Sequence, residues 1–156
     1  MNHTILTYTK QLIVSSDGYC SHPITIAGDL IIGFGRNLSS TGISLSEANV
    51  LLIHDIMACE AQLIANIPDT YSPLSDPRKA VLLDLCFHLG ISALLAQAQT
   101  LSFIRANDFE RAANAMLASA WAKRAPFRAL KLSEIMRYGK SLSTGLSTQN
   151  PTTLKP

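Results

Sequence analysis

The sequence predicts a mostly helical α+β protein with a small β segment near its N-terminus, and three observations carry that prediction. Six glycines and prolines (Gly18, Pro23, Gly28, Gly33, Gly35, Gly42) crowd residues 15–43 and leave only short β-prone runs between them. From residue 45 onward, apolar residues recur at helical spacing, and each run is bracketed by a cap or a breaker. The 156 residues, 47% hydrophobic and 15% charged, suit one domain or two small lobes sharing an element.

In chain order, residues 4–14 predict a short helix with Leu6, Leu12 and Ile13 turned inward, weakened by its β-branched residues. The runs ITI and DLIIGF follow, separated by Ala27-Gly28-Asp29, which reads as the turn of a small hairpin or meander. Ser44-Leu45-Ser46-Glu47 is a capping box: the serine oxygen takes an orphan N–H and the glutamate reaches back. It opens a helix to Asn66, before Pro68, with Ala48, Leu51, Leu52, Ile56, Cys59, Leu63 and Ile64 as the expected inward positions. Ser75 or Asp76, with Pro77, starts a second long helix with Val81, Leu82, Leu85, Cys86 and Leu89 inward, ended by Gly90. Shorter helical pieces fill 91–106. Asn107-Asp108-Phe109-Glu110 resembles another capping box, leading through Ala112, Ala113, Met116, Leu117 and Ala120 to Trp121. A last helix covers Arg128 to Arg137 and stops at Gly139, and 141–156 read as a flexible, low-complexity tail. The expected organisation is thus a single domain over 1–140. Its β lobe spans about 15–43, its connecting helix about 45–66 and its helical lobe about 75–140, with a cleft between lobes where a polymer could lie.

Charge narrows the function. Thirteen basic side chains against eleven acidic give a net +2, too little to argue for nucleic acid. Lys123, Arg124, Arg128, Lys131, Arg137 and Lys140 gather near the C-terminus, as a solvated helix face or an attraction for an anionic polymer; no nucleic-acid partner is expected. Three cysteines without a CxxC imply neither a disulfide framework nor a zinc ribbon. The four histidines lack HxxxH or HExxH spacing, so no metal and no cofactor are expected. Cys20 and His22, two apart on a β-prone stretch, share a face and offer a thiolate with its base as a minor candidate. No apolar run reaches membrane-spanning length and no signal-peptide core opens the chain, so a cytoplasmic product without a membrane span is expected, and a monomer.

The stretch Ile32 to Ile56, IGFGRNLSSTGISLSEANVLLIHDI, is similar to the phage-type lysozyme (endolysin) family, in which a Gly-aromatic-Gly strand end runs through Gly-Ile-Ser into the interlobe helix. Arg78-Lys79-Ala80 through Phe87-His88-Leu89-Gly90 resembles that family's buried helix. Asp108 to Ala113, Ser119 to Ala122 and Pro126 to Ala129 resemble its closing elements, so the likeness spans about residues 12–140 in order. The resemblance implies a lysozyme-like two-lobe fold and a muramidase that cleaves the glycan strand of bacterial peptidoglycan. Such a protein, of phage or prophage type, would act at the cell wall or periplasm after release by another agent.

That chemistry needs a protonated acid on one face of the glycosidic bond and a held water on the other. The family's Glu-Gly pair falls on Asp17-Gly18, its hairpin aspartate on Thr25 and its threonine on Ile31. Arg128 matches an arginine that lies beside the acid, and Gly35 and Arg36 join it as substrate-binding or acid-tuning positions. Asp17 is one methylene shorter than glutamate, Thr25 holds a water without being an anionic base, and Cys20 replaces an arginine. The segment 17–28 is also one residue short of the pattern; ungapped, Ser16 takes the acid position. The alternative is a catalytically inactive protein of the same fold that binds peptidoglycan or a protein partner. A nucleic-acid-binding helical module is the remote third reading.

Overall fold

The computed structural model of the protein describes residues 2–140; the expected tail, 141–156, lies outside the described residues. The fold is α+β, with a three-stranded antiparallel sheet near the N-terminus and helix almost everywhere else. The chain divides into two compact units, with the boundary between Leu52 and Ile53.

The first unit opens with α1 (His3–Asp17), whose N-terminus is capped by Asn2, its side-chain oxygen accepting the Thr4 N–H at 3.0 Å. The helix is longer than 4–14 and ends where Gly18, at φ +68°, turns the chain into extended backbone. Its expected inward face is not realised: Leu6, Leu12 and Ile13 are all exposed. Aliphatic residues lie on more than one side of this helix, and no described residue of 2–52 is fully buried, so there is no core for one stripe to face. The sheet is a meander of β1 (Cys20–Ile26), β2 (Asp29–Gly33) and β3 (Arg36–Asn37). Ala27 and Gly28, at φ +51° and +92°, make the two-residue hairpin turn whose twist matches the strands, with Ile26 opposite Asp29. Pairing continues through Thr25 opposite Leu30 and Ile24 opposite Ile31, shifts irregularly, and resumes with Cys20 opposite Gly33.

Helix α2 (Leu45–Asn66) begins as the capping box dictates. The Glu47 N–H donates to Ser44 Oγ at 3.3 Å, and the Ser44 N–H donates to Glu47 Oε2 at 2.8 Å. Of its expected inward positions only Leu63 is buried and Cys59 partly so; Leu51, Leu52, Ile56 and Ile64 are exposed. The apolar residues wrap the helix (Leu45, Val50, Leu52, Ile53 and Met57 as well), and only its last turns reach the core. At 22 residues with an 18-residue window of mean hydropathy 1.3, α2 is long and apolar enough to cross a membrane, though Asp55 and Glu60 interrupt it.

The second unit holds the core. Ile67 precedes α3 (Pro68–Tyr71), and α4 (Asp76–Leu89) starts with Pro77 in its first turn and closes at Gly90. Val81, Leu82, Leu85 and Cys86 are buried on α4. Helices α5 (Ile91–Leu95) and α6 (Ala98–Arg105) bury Leu94, Leu101 and Ile104 in the same cluster. α7 (Phe109–Ala118) is capped by Asp108, which accepts the Arg111 N–H at 3.0 Å and the Arg111 Nε–H as well; the Asp108 N–H donates to Phe103 O, so Glu110 closes no capping box. The expected single run to Trp121 is broken at Ser119, whose extended backbone ends α7 and whose hydroxyl caps α8 (Ala120–Arg124). The break lets Trp121 be buried, while Leu117 and Ala120 are exposed. α9 (Pro126–Tyr138) ends at Gly139 in the left-handed region. Its last carbonyls receive Arg78: Nε donates to Met136 O at 2.8 Å and Nη2 to Arg137 O at 3.1 Å, with the guanidinium stacked on the Phe109 ring. Burial lowers the Arg78 pKa from its ordinary value.

Candidate functional site

In the first unit, the chain leaving α1 runs beside the turn Gly33-Phe34-Gly35. Asp17, the last residue of α1, points its carboxylate at Gly35, and Oδ2 lies 3.2 Å from where a Cβ on that glycine would stand. A side chain there would push the carboxylate aside by a few tenths of an ångström, and the φ of +86° is what favours glycine at position 35. Tyr19 and Phe34 face each other across the corner, ring centroids 5.3 Å apart and planes tilted by 47°. Cys20 ties the corner below them, its thiol donating to Gly33 O at 3.5 Å. Among the described residues Asp17 makes no side-chain hydrogen bond or ion pair.

Arg36 is fastened from the other end of that turn. Nε donates to Gly42 O at 2.7 Å, while Nη1 and Nη2 form a two-pronged contact with Glu47 Oε1 and Oε2 at 2.8 and 3.0 Å. Glu47 therefore serves two masters, closing the helix cap and gripping the strand. Its pKa is lowered, first by the Ser44 N–H, then by the Ser44 hydroxyl and the Arg36 charge. The arrangement makes Arg36 a clamp between β3 and the start of α2.

The other predicted positions lie elsewhere. Thr25 sits one residue before the end of β1, exposed, five residues beyond Cys20, or roughly 16 Å of extended strand. No hydrogen bond among the described residues joins it to Asp17 or Gly35. Ile31 lies in the central strand between Ile24 and Asn37, half-buried. The hairpin carboxylate Asp29 is engaged by Asn37 Nδ2 at 2.9 Å. Arg128 belongs to the helical unit, where Nη1 donates to Asp84 Oδ1 at 3.0 Å and lies 2.6 Å from His88 Nε2. These three residues line a depression of about 240 Å³ with Trp121 and Arg124. The structure thus brings Asp17 to Gly35, with Arg36 next in sequence, and gives Thr25 and Arg128 separate neighbours.

The Cys20–His22 pairing is not formed. The strand register shifts between Cys20 and Ile24, which breaks the simple alternation of faces; the thiol turns to Gly33 O and His22 Nδ1 to Ser21 Oγ at 2.9 Å. Among the described residues, no three His, Cys, Asp or Glu side chains cluster where a metal could be held.

Sequence spacing did not single out Tyr19, which pairs with a ring 15 positions away. Nor did it find Asp84 and His88 as the partners of Arg128, although their i, i+4 spacing on α4 was a usable signal. No protein-family model and no curated protein matches the chain.

Proposed function

We propose that this protein is a lysozyme-type muramidase, a monomer that hydrolyses the glycan strand of peptidoglycan with Asp17 as general acid. The observation that carries the reading is the Asp17 corner: a carboxylate without a hydrogen-bond or ion-pair partner among the described residues, set against the glycine of a Gly-Phe-Gly turn whose phenylalanine pairs with exposed Tyr19. In this reading Asp17 donates its proton to the glycosidic oxygen, while Thr25, far along β1 from that corner, is too distant to hold the attacking water on the same bond, and that water comes from solvent. Arg36 keeps the turn in place through Glu47. The contacts of Arg128 with Asp84 and His88 hold it within the helical unit, so the proposed proton transfer rests on Asp17 alone. The protein reaches the wall after another agent releases it.

A second reading, glycan binding without turnover, draws on the hairpin. Thr25 is uncharged, Ile31 is apolar, and Asp29 is already bonded to Asn37, leaving no free carboxylate there to activate water. Purified sacculi separate the two. The hydrolase releases new reducing ends and its Asp17→Asn variant does not; the binder sediments with sacculi and releases none.

A further inference from the structure

We propose that Tyr19 and Phe34 form a stacking platform for one sugar ring of the ligand, immediately beside Asp17; the inference rests on the glycan reading and specifies its recognition. Tyr19 is 69% exposed and Phe34 46%, although the rings are within contact distance of each other. Two rings packed for stability alone would bury more of themselves, because apolar area in water is the cost that packing removes. Instead the pair is held open by its backbone. Gly33 and Gly35, both at positive φ, flank Phe34, so no neighbouring side chain covers that ring. The Cys20–Gly33 bond and the seat of Asp17 on Gly35 fix the two segments that carry the rings.

The chemistry around the platform selects the ligand. Between Lys10 and Arg36 the sequence has no lysine or arginine, and Arg36 is spent on Glu47 and Gly42. Two rings with no cation to answer a phosphate disfavour nucleic acid, whose binding depends on neutralising phosphates. The platform suits a neutral pyranose instead, which offers an apolar C–H face to an aromatic ring and hydroxyls to the neighbouring Asp17 carboxyl group.

The test is titration of the full chain with an N-acetylglucosamine hexamer, followed by calorimetry and by ring-proton shifts in NMR. Expected are shifts at the Tyr19 and Phe34 rings, and binding about tenfold weaker in Tyr19→Ala and Phe34→Ala. Tyr19→Phe and Phe34→Tyr should bind as the wild type does. Because both rings are exposed the alanine variants should stay folded, and the ring shifts on the wild type decide the matter if one does not. Wild-type affinity in both alanine variants, or hexamer binding that leaves the two rings unshifted, overturns the platform while the glycan reading stands. A wild type that binds neither hexamer nor sacculi overturns both. An oligonucleotide that displaces the hexamer from the same rings overturns the selection for sugar.

Discussion

Glu47 meets Arg36, the Ser44 N–H and the Ser44 hydroxyl at once, so its charge state governs how the β3 loop is tied to α2. Its folded pKa is below the ordinary 4.5, so its stabilisation is complete above that value and is lost as pH falls through the lowered one. A carboxyl-carbon NMR titration should therefore place the Glu47 midpoint below 4.5 in the wild type and return it toward 4.5 in Arg36→Ala combined with Ser44→Ala. An unshifted wild-type midpoint would count against the clamp. At Asp17 the missing methylene sets the prediction: Asp17→Glu should raise the rate of sacculus hydrolysis, by up to about 100-fold, if reach limits proton transfer. An unchanged or lower rate would show that reach is not the limit. The capping box was legible because its two residues are three apart. The Arg36–Glu47 grip, the Tyr19–Phe34 pair and the Asp84–His88–Arg128 cluster join residues that only the folded chain brings together.

Among the elements, turns and helix ends were readable, and faces were not. Ala27-Gly28, Pro77 and Gly139 act through their own backbone preferences, so the hairpin turn, the start of α4 and the end of α9 follow from local sequence. The faces of α1 and α2 depend on where the core lies, and it lies among α3 to α9 with the last turns of α2. That placement predicts uneven protection: amides of β1 to β3 should exchange with solvent well before those of α4, α7 and α9 in native-state hydrogen exchange. Equal protection in both sets would contradict it. The end of α9 gives a sharper case, since a Cβ on Gly139 would stand 2.9 Å from the Arg78 guanidinium at a positive φ. Gly139→Ala should cost about 1–2 kcal/mol in urea unfolding. Arg78→Ala, which leaves two α9 carbonyls without their donor, should cost about 2 kcal/mol. Neutral results at both positions would mean that the α9 terminus is not held in this way.

For the whole molecule, the α+β class and the order of elements follow from glycine crowding and helical periodicity, which are properties of the chain itself. The division at Leu52 and Ile53 falls inside α2, where no breaker or composition change marks it. The proposed function came from an ordered resemblance, and its chemistry is placed at the corner around Asp17: a carboxylate without a hydrogen-bond or ion-pair partner among the described residues, a glycine seat and two exposed rings. The central claim is that this corner cleaves glycan. Its most direct test is the release of new reducing ends from purified sacculi by the wild type and by Asp17→Asn at equal concentration. The account predicts steady release by the wild type and none above background by the variant. No release by the wild type at high protein concentration, or equal release by the two proteins, would contradict it.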